Sequence, residues 1–129
     1  MIKLVNPDTL PAPASNYSQI VEVPEGARLA FLSGQVGIDT DGNCADDFAG
    51  QCNQVFANIK AALTAIDMQM SDLVRLNAYL IDAANVSAFR DIRDSWMEGH
   101  AAASTLVMVP ALAAPNWLVE IEVVASRSA

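Results

Sequence analysis

Apolar and polar positions follow two different periods along this chain of 129 residues. Residues 1–15 carry Pro7, Pro11 and Pro13 and no sustained period, which suits an extended lead-in. SQIVEV (18–23) and RLAFLS (28–33) are β-rich runs, and PEGA between them supplies Pro24 and Gly26 for a turn; together they predict a hairpin. GQVGIDTDGN then gives a glycine-rich strand exit and a second turn at Asp41–Gly42. From Asp46 to about Ile66 the period lengthens: Phe48, Cys52, Val55, Ile59, Ala62 and Ile66 recur at three- and four-residue steps, one face of an amphipathic helix. Asp46 and Asp47 stand where a helix start favours anions. DLVRLNAYLI (72–81) returns to period two, with Val74, Leu76, Ala78 and Leu80 on an apolar face and Leu73, Arg75, Asn77, Tyr79 and Ile81 on a mixed one. A second helix is predicted from Val86 to Glu98, with Phe89, Ile92 and Trp96 inward and Gly99 as its stop. ASTLVMV (103–109) and LVEIEVVA (118–125) close the chain as strands joined by PALAAPNW.

The order ββ, helix, β, helix, ββ is met most economically by one mixed sheet with both helices on one face, a two-layer α+β sandwich over a single domain, 1–129. The last strand then raises a question. Alternation puts Val119, Ile121 and Val123 on one face and both Glu120 and Glu122 on the other. With Arg75, Asn77 and Tyr79 beside them among leucines and valines, that second face is too apolar for water and too polar for a core. Burial against other subunits answers both objections, so the pattern predicts an oligomer built on this face.

Composition narrows the function classes. Apolar residues make up 53% of the chain, but no run approaches the roughly 20 residues of a membrane span, and the N-terminal stretch lacks the apolar segment of a secretory signal. A cytoplasmic protein with no membrane partner is expected, with Cys44 and Cys52 as reduced thiols. Cys52 lies on the apolar helix stripe, where burial raises a thiol pKa rather than activating it. One histidine, His100, gives no Cys/His metal set, and the carboxylate-only magnesium site that stays open has no motif behind it, so no metal is expected; the place of His100 after Gly99 suggests a helix C-terminal cap. The net charge is −8, with seven Lys and Arg residues spaced singly. Without a basic cluster, a nucleic-acid partner is disfavoured.

NYSQIVEV, FLSGQVGID, VFANIKAALTAIDM followed by SDLVRLNAYLID, and VEIEVVAS together resemble the Rid family (YjgF-like, endoribonuclease L-PSP-like), over roughly residues 15–126. The resemblance implies a chorismate-mutase-like fold, a homotrimer whose sheets face a central barrel, and small-molecule clefts between subunits. It also implies hydrolysis of reactive imines or enamines to a carbonyl compound and ammonia, with no cofactor. In such proteins an arginine grips the substrate carboxylate, as a guanidinium fork can, and a glutamate attends the attacking water. Carried over by position, Glu120 is the catalytic glutamate, Tyr17 an aromatic cleft residue, and Ser33 and Gly34 a backbone-contacting turn.

The chain departs from the family pattern at the P-A-R-S motif, where it reads Ala102-Ala103-Ser104-Thr105, with Ser104 at the guanidinium position. This places it in a subgroup without the hallmark arginine, and a hydroxyl does not replace a bidentate cation. Arg90 and Arg75 are the candidate substitutes. For Arg90 the alternative is an ordinary helix ion pair with Asp94 at i+4; for Arg75 it is a structural pairing with Glu122. Glu120 is read either as a water-activating base or as a strand acid paired across subunits. For Ser104, His100 is the only histidine available as a base and no oxyanion motif surrounds it, which argues against a serine hydrolase. Three functions follow: imine hydrolysis; a metabolite-binding trimer without turnover; and, least favoured by charge, an endoribonuclease.

Overall fold

The computed structural model describes residues 1–128. Strands β1 (Lys3–Val5), β2 (Ile20–Glu22) and β3 (Arg28–Gln35) come first, followed by helix α1 (Phe48–Thr64) and β4 (Leu73–Leu80). Helix α2 (Val86–Met97), β5 (Ala103–Met108) and β6 (Val119–Arg127) complete the chain. A mixed four-stranded sheet runs β3-β6-β4-β5. Its β4 and β5 are parallel, joined by α2, and the other pairs are antiparallel. Both helices pack on one face of it, the two-layer α+β arrangement expected from the period changes.

The core is the place where the two periods meet. Val55, Phe56, Ile59 and Leu63 from α1 and Phe89 and Met97 from α2 close over Leu76, Ala78, Leu80, Ile121 and Val123. Phe56 stacks on Trp96 at 6.3 Å between ring centroids, which locks the two helices together. Helix α1 starts where Asp47 accepts a hydrogen bond from the Gly50 N–H at 3.1 Å. Helix α2 stops as Glu98 and Gly99 both turn to positive φ. Its inner stripe is Phe89, Arg93 and Met97, with Ile92 and Trp96 only half-buried. Arg93 can take an inward position because its guanidinium lies over the Phe89 ring and Nε donates to Asp94. Ile66 falls beyond the end of α1 and is exposed.

Three expectations are corrected. The runs at 18–23 and 28–33 do not form a hairpin: β2 pairs antiparallel with β1, and β3 pairs with β6. The eight-residue β3 gains more by lying along the buried β6 than along a three-residue neighbour. The lead-in therefore contains a strand, one too short to show a period. Leu73 also changes sides, because a bulge at Val74 inserts one residue into β4, pairing Leu73 with Ala125 and Arg75 with Val124. Leu73 is fully buried as a result.

The two-stranded ribbon is tied to the far edge of the sheet. Ser18 bridges Ala103 on β5, its N–H donating to the Ala102 carbonyl at 3.1 Å and its hydroxyl to that of Ala101.

Candidate functional site

The face of the sheet turned away from the helices carries the polar groups that the alternation placed there. Glu120 stands opposite Tyr79, and Glu122 opposite Asn77. The Tyr79 hydroxyl donates to Glu122 Oε1 at 2.6 Å, and Asn77 Nδ2 donates to the same oxygen at 3.2 Å. These two bonds, Tyr79 first, hold the Glu122 carboxyl below its usual range, with Arg75 adding a favourable charge. Conversely, the bond to Glu122 pushes the Tyr79 phenol up. The sequence suggested Arg75 as the partner of Glu122, but the Arg75 guanidinium instead donates to Thr105 Oγ1 at 2.8 Å.

Glu120 is placed by the neighbouring strand. A second bulge, between Leu32 and Gln35, sets Ser33 and Gly34 against the acidic end of β6. A Cβ added to Gly34 would overlap the Glu120 carboxylate and come within 2.9 Å of its Cδ. Only glycine leaves that carboxylate room to lie over the strand. Glu120 and Glu122 then line a cavity of about 360 Å³ with Tyr79, Val109 and the loop residues Ala111, Leu112 and Ala113. A smaller hollow of about 230 Å³ lies on the other side of Glu122, lined by Phe31, Arg75 and Asn77 among others.

The loop that walls this cavity is held from beneath. Gln51, fully buried on α1, donates through Nε2 to the carbonyls of Ala45 and Asn116 and accepts the Leu118 N–H at 2.8 Å. One amide side chain thus pins the end of the 109–117 loop and the start of β6. Gly37 packs against Gln51 so closely that a Cβ there would sit 2.7 Å from its Cα. Sequence reasoning passed over Gln51, which sits among the apolar residues of the α1 stripe. A lone polar residue on that stripe was the available signal.

The expected site residues fall in different places within the protomer. Gly34 and Glu120 are brought together, with Ser33 exposed beside them. Arg75 shares their face but lines the smaller hollow. Ser104 pairs in register with Leu76, whose side chain is in the core, so Ser104 faces the helix layer and Ala103 and Thr105 take the open-face positions. Arg90 is exposed on α2, in the layer across the sheet from Glu120. Tyr17 adjoins the ribbon tie at the β5 edge, its hydroxyl accepting the Ala14 N–H at 3.3 Å. None of these last three lines the Glu120 cavity. Tyr79, Asn77 and Leu112 gain roles at the open face that the sequence did not assign.

Two further expectations can be placed. His100 is not a helix cap through its ring, since Nε2 meets the Leu73 carbonyl at 2.7 Å and so fastens the α2–β5 turn to β4. Cys52 is fully buried, and burial pushes its thiol up to about 12. Among the described residues, no group of three His, Cys, Asp or Glu side chains is arranged to hold a metal ion, and no helix is long and apolar enough to cross a membrane.

Comparison with known proteins agrees with this architecture. The family model for endoribonuclease L-PSP matches residues 8–127. A crystal structure of the Rid-family protein YyfB from Yersinia pestis, described as of unknown function, superposes with a TM-score of 0.87 at 32% identity, covering 96% of this chain and 97% of that one. Protein DfrA of Myxococcus xanthus is 31% identical over 112 residues, 85% of each chain. A 2-iminobutanoate/2-iminopropanoate deaminase from Dermatophagoides farinae is 29% identical over 122 residues, covering 93% of this chain and 92% of its own.

Proposed function

This chain belongs to the endoribonuclease L-PSP family, the family of the Rid proteins, and on that premise we propose that it is a cytoplasmic homotrimer that hydrolyses a small imine or enamine to a carbonyl compound and ammonia. The chain forms one Rid-like domain, the open sheet faces line a central barrel, and the clefts lie between subunits. The observation that carries the chemistry is the seat of Glu120: its carboxylate lies over Gly34 and lines an open hollow with an apolar loop on one side. A carboxylate so placed holds a water by hydrogen bond and takes its proton as the oxygen attacks the imine carbon. The same proton is then available to the nitrogen as the carbon–nitrogen bond breaks. No metal or organic cofactor is called for by these steps.

Assembly is supported by what the lone protomer leaves uncovered. Phe31 is 77% exposed and Leu29 54% exposed on β3. A second copy covers such a face better than water does. Tyr17 and Ser104 belong to the β5 side of the protomer, so they enter a cleft only where a neighbouring copy's β5 side meets Glu120, and Arg90, exposed on α2, lies across the sheet from Glu120 in its own protomer. Free thiols at Cys44 and Cys52 suit a reducing compartment.

A second reading, a metabolite-binding trimer without turnover, is favoured by one observation: no Lys or Arg of the protomer lines the Glu120 cavity. In this reading the chain sits in the subgroup lacking the substrate-gripping arginine. Endoribonuclease activity is opposed by a net charge of −8. The separating experiment supplies purified protein with imines generated in situ by an amine or amino-acid oxidase and follows their decay. Faster decay than in buffer, lost in Glu120→Gln, is the expected result. No acceleration with any imine leaves the binding reading in its place.

A further inference from the structure

The cavity beside Glu120 has a charge character that determines what it accepts. Each of the seven cationic side chains of the chain has a position elsewhere. Arg28 reaches the Ile66 carbonyl, and Arg127 reaches the Asp67 carbonyl and the Asp72 carboxylate at 3.5 Å. Arg93 is buried in α2 against Asp94, while Lys60 and Arg90 are on the helix layer and Lys3 is in the β1–β2 ribbon. Arg75 shares the open face, but its guanidinium is taken up by Thr105 and it opens onto the neighbouring hollow. The cavity wall therefore offers two carboxylates, one phenol and an apolar strip of Val109, Ala111, Leu112 and Ala113.

We propose that this cavity selects imines that carry no carboxylate, the cationic iminium left when a simple primary amine is oxidised, over imines derived from amino acids. This rests on the reading of the cavity as a hydrolytic site. A substrate carboxylate brought within a few ångströms of Glu120 and Glu122 meets like charge that Arg75, behind Glu122 in the neighbouring hollow, offsets only in part, whereas an iminium meets opposite charge. The alkyl substituent takes the strip around Leu112, which a hydrocarbon chain fills without stranding a polar group. The reaction balances without a redox partner. Water adds through a new carbon–oxygen bond while Glu120 holds its proton, and that proton passes to nitrogen. The carbon–nitrogen bond then breaks, so R–CH=NH2⁺ and H2O become R–CHO and NH4⁺. The supplying reaction is a two-electron oxidation of a primary amine, and the product is an aldehyde for a second oxidation or a reduction to consume.

Two imines that differ only by the carboxylate test this: that of propylamine, made by a flavin-dependent amine oxidase, and that of 2-aminobutanoate, made by an amino-acid oxidase. The full-length protein is added to each, and surviving imine is trapped with semicarbazide. We expect kcat/KM at least about tenfold higher for the propylamine imine, a difference that one charge contact at a few ångströms supplies even with partial solvent screening. Glu122→Gln should narrow that ratio about threefold. Equal or faster consumption of the 2-aminobutanoate imine overturns the selectivity while leaving the hydrolase intact. Calorimetry with propylammonium and propionate supplies the readout that needs no turnover. If neither imine is consumed yet propylammonium alone binds, and Glu120→Gln weakens it, the charge preference stands and the hydrolytic reading falls. Tighter binding of propionate, or binding of neither ion, overturns the proposal. Loss of propionate binding in Arg90→Ala would then identify a guanidinium from a neighbouring copy as the cause.

Discussion

The two faces of β6 share a backbone and almost nothing else. Toward the helices, Val119, Ile121, Val123 and Ala125 are at most 2% exposed and packed by apolar groups from both helices. Away from them, Glu120 lies over a glycine, Glu122 is tied to a phenol and an amide, and Val124 faces the exposed Phe31 across the register. The first face is closed within one protomer and specifies the fold. The second is organised but unfinished: its hydrogen bonds are in place, yet its apolar surface lacks a partner. A strand can serve both ends because its side chains alternate, so a mutation on one face is felt little on the other.

That separation can be broken from either side. The largest effect on stability belongs to the closed face. Phe56→Ala removes a fully buried ring that joins α1 to Phe89 and Trp96, and about 3–5 kcal/mol should be lost in urea unfolding. Next comes Gln51→Leu, which strands the Leu118 N–H and the Asn116 carbonyl. A cost of about 2–3 kcal/mol is expected, together with higher amide exchange confined to residues 111–118. If exchange rises uniformly instead, Gln51 is not the pin of that loop.

On the open face, Phe31→Asp should leave the far-ultraviolet circular dichroism of the protomer unchanged and shift sedimentation from the proposed trimer to a single chain. An unshifted trimer would place the subunit interface elsewhere. Gly34→Ala should act on the site rather than the fold, since the methyl would displace the Glu120 carboxylate. Imine turnover should fall by about tenfold or more with little change in the unfolding midpoint.

The smallest effect is that of pH on the Glu122–Tyr79 pair. The folded Glu122 carboxyl titrates below its unfolded value, so its contribution is present above the ordinary carboxylate range and fades as the pH falls through the lowered folded value. Tyr79 titrates above its unfolded value, so its contribution is present below the ordinary phenol range and fades as the pH rises through the raised folded value. Both groups are near solvent, and the changes should be slight. Tyr79→Phe should flatten both limbs of the stability profile.

Much of the fold was legible because period is a local property. The α1 stripe through Cys52, Val55 and Ile59 and the alternation through Leu76, Ala78 and Leu80 each follow from a few consecutive residues, and all six are buried as the pattern requires. Strand partners were less legible. The preference of β3 for β6 over β2 is a contest between segments nearly ninety residues apart, and turn chemistry at Pro24–Gly26 pointed to the nearer one. The bulges at Val74 and at Ser33–Gly34 reverse faces without a strong local signature. For the same reason Leu73 was put on the wrong side of its strand.

The sequence by itself determined the two-layer α+β class, the two-faced closing strand and a net charge of −8, because each depends on spacing or on summed charge. Only the tertiary structure decided that Glu122 belongs to Tyr79 and Asn77 rather than to Arg75, that Gly34 makes room for Glu120, and that Gln51 carries the loop above them. Those are matters of register and close approach. A shift of one residue along a strand exchanges one set of neighbours for another, and the order of the amino acids alone does not say where a bulge will put that shift.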